Sequence, residues 1–359
     1  MNKPFSVYLD LLRLVAACVV FAHHLDFTTI GTGADGLLQN EASTYLPFAL
    51  GHKVVVVFFV LSGYVITYVA SERERGLSEF ALARVARVYS VVLPAVALTI
   101  CVDLSLIVAG KAQHVPLYQY VGFWKYLPFS LLFMNQLWFL NEGTFSDGAF
   151  WSLCYEVWYY VLFAALFYGQ GLGRWVLGAA VLLVMGPKLW ALFPNWLLGA
   201  AAYKLSGRLQ LGVTPARWLL GVSTVALVAV LGFDVFGGVD RWVDDLSGHW
   251  ISANLALSQW FAGDMLTGVV CAVNIIAARF ARPEFGAFAA PIRLLASYSF
   301  TLYLTHGPLL EFWSWQFDLG RLPLLVIVSA CVIVLGMFTE HQKDRLKRWL
   351  GRCLALATA

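Results

Sequence analysis

Residues 51–69 read GHKVVVVFFVLSGYVITYV, nineteen positions with one charged side chain, Lys53. An α-helix needs about 20 apolar residues to cross the hydrocarbon of a bilayer. A run this long with no polar alternation has no place on the surface of a water-soluble domain. Working outward, similar runs extend from Val7 to Phe27, Val88 to Val108, Phe150 to Tyr168, Trp218 to Phe236, Ile251 to Phe280, Ile292 to Trp315 and Leu322 to Thr339. Two shorter runs, Trp175 to Pro187 and Leu189 to Tyr203, read as a hairpin of thin spans around Pro187 and Pro194. The expectation is an all-α, polytopic membrane protein of about ten helices, because lipid satisfies no backbone amide that the helix itself leaves open.

Composition agrees. Of 359 residues, 60% are hydrophobic and only 13% charged, where soluble chains carry about 25% charge. A soluble globule and a disordered chain are both excluded. A net charge of +3 is too small to imply a nucleic-acid partner. The six cysteines stand singly, with no CxxC pair and no metal-ligand spacing, so no metal and no disulfide framework is expected. Asp10 and Arg13 interrupt the first apolar run, which therefore reads as a retained span and not a cleaved signal. The domain reading is one transmembrane unit over residues 1–342 and a basic cytoplasmic tail over 343–359, with no soluble catalytic domain appended.

Orientation follows from the cations. The basic loops are Glu72 to Arg87, Lys204 to Arg217, Arg279 to Arg293 and the tail with Lys343, Arg345, Lys347, Arg348 and Arg352. Counting spans with the N-terminus inside places all of them on the cytoplasmic side, with both termini. The acids Asp35, Glu41, Glu142, Asp147, Asp240, Asp244 and Asp245 fall outside. One condition attaches: residues 126–140, which contain Pro128, Asn135 and Gln136, must be re-entrant or interfacial, since a full crossing would invert everything downstream.

Ionisable side chains inside a span cost about 2.5–3.5 kcal/mol on insertion scales, so each one is a functional candidate. The first span, LDLLRLVAACVVFAHHLD over residues 9–26, holds Asp10, Arg13, His23, His24 and Asp26. At about 100° per residue, Arg13 and His24 return to within roughly 20° of one azimuth and lie roughly 16 Å apart along the axis. Asp10 sits near that stripe, and His23 points away. Asp10 and Arg13 also read as an interfacial ion pair. His24, a ring suited to proton transfer near neutrality, reads as a general base. In WSLCYE, Glu156 lies two turns inside a span and needs a buried partner. In SYSFTLYLTHGP, Ser299, Tyr303 and His306 share one face. By helix rise His24, Glu156 and His306 reach the middle or outer half of the membrane. In FALARVARVYS, Arg84 and Arg87, three apart, form a fork suited to phosphate, or simply obey the positive-inside rule.

Taken together these segments resemble acyltransferase family 3, integral membrane enzymes that acylate bacterial surface glycans and some small molecules. The resemblance rests on Arg13 and His24 preceded by LDLLR, on VVFFVLSGYVIT with Phe59, Ser62 and Gly63, on Arg84 and Arg87 followed by VYS, on WSLCYE with Trp151, Ser152 and Glu156, and on SYSFTLYLTH with Ser297, Tyr298, Tyr303 and His306. Five motifs in order cover most of the chain. Departures are VWYY after Glu156, in place of a second acid or amide, and Thr305 in place of a common Trp.

The resemblance implies a ten-helix enzyme of the bacterial inner membrane that moves an acyl group, usually acetyl, from cytoplasmic acyl-CoA to a hydroxyl, with no permanently bound cofactor. It implies that Arg13 and His24 are the essential first-helix pair, that Arg84 and Arg87 meet the donor, and that a glycan or lipid-linked glycan is the acceptor. Beside it, the residues suggest direct transfer: His24 as base, Arg13 orienting the donor, Glu156 or His306 holding the imidazole tautomer or polarising the thioester. Asp10, Ser62, Trp151 and Tyr303 complete the expected substrate contacts. Ser62 and Cys154 are alternative nucleophiles without a recognisable base. Intramembrane His, Glu and Arg also suit a proton-coupled or glycan transporter, although no two-halves repeat is evident. The sequence leaves acceptor, acyl length and oligomeric state open.

Overall fold

The computed structural model describes residues 3–31, 50–74, 76–317 and 319–357. Asp35, Glu41 and Arg75, used above to orient the chain, lie outside the described residues. The elements are α1 (Lys3–Gly31), α2 (Leu50–Glu72), α3 (Leu77–Val108), the short α4 (Leu117–Val121) and α5 (Phe123–Leu131), α6 (Trp151–Tyr168), α7 (Gly171–Met185), α8 (Pro187–Ser206) and α9 (Val213–Gly232). They continue through the short α10 (Gly237–Leu246) and α11 (Trp250–Asn254) to α12 (Phe261–Ala281), α13 (Ala289–Ala296), α14 (Ser299–Phe317), α15 (Arg321–Phe338) and α16 (Lys343–Ala357). No strand occurs among the described residues.

Among the described residues, seven segments, beginning at Lys3, Leu50, Leu77, Gly148, Val213, Phe261 and Arg321, are long and apolar enough to cross a membrane. Helices α7, α8 and α14 correspond to the other three expected spans and fall short of that measure. Helix α7 is short, and the other two are diluted by buried polar groups such as Lys188, Asn195, Thr301 and His306. The chain is a multi-pass, all-α membrane protein.

Two expected spans are broken. Ile251 to Phe280 is not one helix: Ala256 turns to φ 46°, a left-handed conformation that stops α11, and the crossing helix starts only at Phe261. Ile292 to Trp315 divides into α13 and α14. The break is made by Glu340, whose carboxylate accepts the backbone N–H groups of Phe300 (3.0 Å) and Thr301 (2.8 Å) and so caps a fresh helix N-terminus. Helix α3, expected from Val88, begins at Leu77. Its 32 residues reach about 48 Å at 1.5 Å per residue, well past the hydrocarbon, and Arg84 and Arg87 sit on the projecting turns.

The basic segments gather at one end of the bundle. Arg293 donates to the Lys3 carbonyl (3.4 Å), Tyr203 to Glu72 (2.9 Å), Arg217 to the Ala281 carbonyl (3.5 Å), and Ser297 meets His341 (3.4 Å). Ion pairs Lys53–Asp234 and Arg321–Asp26 tie the opposite end. By the positive-inside rule the first end is cytoplasmic.

Residues 126–140 enter from the other end and return to it. The Leu131 carbonyl takes the Tyr89 hydroxyl (2.7 Å), and the Phe133 carbonyl, at the tip, takes Cys154 Sγ (2.7 Å) and Trp158 Nε1 (2.9 Å). The chain then climbs back to Trp138, whose N–H meets the Met185 carbonyl at the end of α7 (3.0 Å). Buried Lys188 pins the returning limb through Gln136 (2.7 Å). The segment thus turns back on itself, as the expected parity of the downstream spans requires.

Helices α2 and α8 cross in near backbone contact. A Cβ on Gly63 would strike the Trp196 carbonyl, and one on Gly199 the Val60 carbonyl. Close approach through small residues is how helices gain packing energy in lipid, where no hydrophobic effect drives them together. This crossing, with Tyr64, Tyr155, Tyr159 and Trp196 fully buried around it, forms the core against which α1, α6 and α14 build the site.

Candidate active site

A cavity of about 190 Å³ lies between α1, α2, α3, α6 and α14. Its polar lining includes Asp10, Arg13, Ser62, Arg87, Glu156 and Tyr303, so six of the ten residues singled out in the sequence meet in one space. Arg13 donates to the Ala296 carbonyl that ends α13 (2.9 Å) and to Asp10 (3.3 Å). Its side chain and that of Asp10 keep 30% and 26% exposure, which opens the cavity toward the cytoplasmic end. An arginine inside a bundle is tolerable only with such partners, and here a carbonyl and a carboxylate leave part of the guanidinium to face the cavity.

Glu156 does not reach an imidazole. Its partner is the Tyr160 hydroxyl on the next turn of α6, and Tyr160 in turn receives the Ser62 hydroxyl at 3.3 Å. Ser62 also accepts from Trp196 Nε1 (3.3 Å), an arrangement with no base to activate it. Cys154 is spent on the Phe133 carbonyl and fully buried. Neither is arranged as a nucleophile.

At its outer end the cavity is closed by Tyr303, bonded to Ser152 at 2.7 Å and packed edge-on against Phe58 at 5.4 Å. One turn beyond lies His306, its ring centroid 6.2 Å from Tyr303 and 4.9 Å from His24. Each imidazole is oriented by its own helix: His24 Nδ1 lies 2.9 Å from the Val20 carbonyl, and His306 Nδ1 2.9 Å from the Leu302 carbonyl. A carbonyl only accepts, so Nδ1 carries the hydrogen and Nε2 the lone pair in both rings. The expectation that Glu156 or His306 holds the His24 tautomer is corrected here; the main chain does it. His306 Nε2 is buried without a protein partner.

Two expected residues stand elsewhere. Arg84 is paired with Glu74 at 2.8 Å, both largely buried, and covered by the Phe80 ring. Arg87 lines the cavity without it, so the expected joint fork is divided. Trp151 lies outside the cavity, stacked on His52 at 5.6 Å. His52 itself is bonded to Asp264 at 2.8 Å, a buried His–Asp pair that the sequence reading passed over. The signal was present: Asp264 is a carboxylate inside a crossing helix.

The family model described as "Acyltransferase domain" matches residues 6–339. The chain belongs to acyltransferase family 3. The match takes in the whole cavity lining and both histidines, and stops before α16. No curated protein and no solved structure matches the chain. The activity of this acyltransferase is thus fixed at family level.

Proposed function

We propose that this acyltransferase works in a bacterial inner membrane as an O-acyltransferase, moving an acyl group, most simply acetyl, from cytoplasmic acyl-CoA to a hydroxyl of a carbohydrate acceptor. The observation that carries the reading is a cavity lined by Arg87, Arg13 and Tyr303, with His306 and His24 packed in succession behind Tyr303.

On this reading the thioester enters past Arg87 and Asp10 and rests near Arg13 and Tyr303. His24 Nε2 takes the proton of the acceptor hydroxyl as its oxygen attacks the thioester carbonyl. Arg13, held toward the cytoplasmic end by Asp10 and the Ala296 carbonyl, orients the donor arm so that its thioester reaches the base. The carbon–sulfur bond then breaks, CoA leaves as thiolate, and the imidazolium proton neutralises it. No covalent enzyme intermediate is required.

The test is a radiolabel assay in lipid nanodiscs with [14C]acetyl-CoA and a crude lipid and glycan extract. Labelled, alkali-labile product from the parent protein, and none from folded His24→Ala, supports the reading. Failure to consume acetyl-, propionyl- or succinyl-CoA removes it.

A further inference from the structure

The cavity is too small for the whole donor. Sites that enclose a drug-sized ligand run about 300–1,000 Å³, and about 190 Å³ accommodates a thioester and part of its pantetheine arm, not a nucleotide carrying phosphates. That strongly anionic end must rest at the cytoplasmic mouth and needs cations there. Arg84, the obvious candidate by sequence, is engaged by Glu74.

Two other cations hang from the segments that form the lip. Arg293 lies on α13, three residues before Ala296, whose carbonyl holds Arg13. Lys343 opens α16 directly after the turn of Glu340–Gln342, and Glu340 grips the backbone of Phe300, a lining residue of the cavity. Both side chains are exposed. Helix α13 packs on α1, which carries Asp10 and Arg13, and α16 packs on α3, which carries Arg87. Arg293 makes only a 3.4 Å contact with the Lys3 carbonyl, and neither cation is in a salt bridge with an acid among the described residues. Cations placed only to orient a membrane protein need not converge; these come from α13 and α16 to one opening.

We infer that Arg293 and Lys343 form the docking site for the phosphorylated nucleotide end of the acyl-CoA donor, with α16 completing a donor site begun by the bundle. The inference rests on the donor assignment proposed above. Lys343 lies beyond residues 6–339, the stretch that matches the family, so this part of the site belongs to the tail.

The experiment is calorimetric titration of CoA, 3′-dephospho-CoA and pantetheine into the full chain, in nanodiscs of neutral phosphatidylcholine, for the parent, Arg293→Glu, Lys343→Glu and the double variant. Gel filtration and melting confirm folding, and Lys343→Glu, at an exposed position, serves if Arg293→Glu folds poorly. The expected result is CoA binding weakened at least about tenfold in the double variant, with a shallower salt dependence, and pantetheine binding unchanged. If the parent binds CoA and the reversals leave that affinity intact, the inference falls and the donor assignment stands. If the parent binds no CoA, the donor assignment falls and takes the inference with it. Repeating the series with phosphatidylglycerol separates lipid headgroups from donor: reversals that change only the response to anionic lipid also overturn the inference.

Discussion

His24 and His306 face each other with ring centroids 4.9 Å apart, in the same tautomer, across the contact between α1 and α14. Two imidazoles so close cannot both be charged without setting like charges side by side. On the proposed mechanism the pair is one base.

His24→Gln and His306→Gln should therefore each lower kcat by about 10²–10⁴-fold, and the double variant should be little worse than His24→Gln alone. Steady-state kinetics at saturating donor reads this directly. Strict additivity would mean that the rings act separately.

Ser152 and Tyr303 each leave a buried hydroxyl behind when the other is removed. Ser152→Ala or Tyr303→Phe should cost about 1–3 kcal/mol of stability, and the double variant less than the sum. Thermal melts of the four proteins complete the cycle, and a purely additive result would show that the 2.7 Å bond does not couple them.

Arg84 and Arg87 should part company in experiment as they do in space. Arg84→Ala strands the Glu74 carboxylate, 8% exposed, and should destabilise by about 3–5 kcal/mol. Arg87→Ala should leave the melting temperature nearly unchanged and raise the donor KM. A higher KM with unaltered melting for Arg84→Ala would put that guanidinium back in the donor site.

Gly63→Ala and Gly199→Ala drive a methyl group into a backbone carbonyl across the α2–α8 crossing. Overpacking of this kind costs about 1–3 kcal/mol. The folded yield in detergent should fall for both, more than for Gly221→Ala on α9, where a Cβ meets nothing.

Asp240, 6% exposed on α10 at the outer end, accepts the Gly263 N–H at 2.8 Å. Burial pushes its carboxyl up to about 6, so the fold favours the protonated form. Its contribution to stability is full below about pH 4 and is lost as pH rises through about 6. Asp240→Asn keeps an acceptor for Gly263 and should raise the melting temperature at pH 7, with the advantage vanishing near pH 4. An advantage independent of pH would point to another cause.

Much of this was legible in the sequence. Apolar runs gave the crossings, helical periodicity put Arg13 and His24 on one stripe, and residues 126–140 turn back on themselves as the charge pattern required. What periodicity does not carry is the identity of partners across the bundle. Arg84 finds Glu74 around the turn at Gly76, and His52 finds Asp264 from two helices far apart in sequence. The division of α13 from α14 depends on Glu340, a residue some forty positions downstream. Spacing within a helix reports which face a residue takes, and only the packed bundle reports what waits there.

The Val20 and Leu302 carbonyls give the site an evolutionary latitude. An imidazole set by a side chain is lost when that side chain mutates, whereas every residue at position 20 or 302 brings a carbonyl. On the proposed mechanism, lining residues can be exchanged while the base keeps its proton on the same nitrogen, so descendants of this chain could drift toward new acceptors without first rebuilding their chemistry.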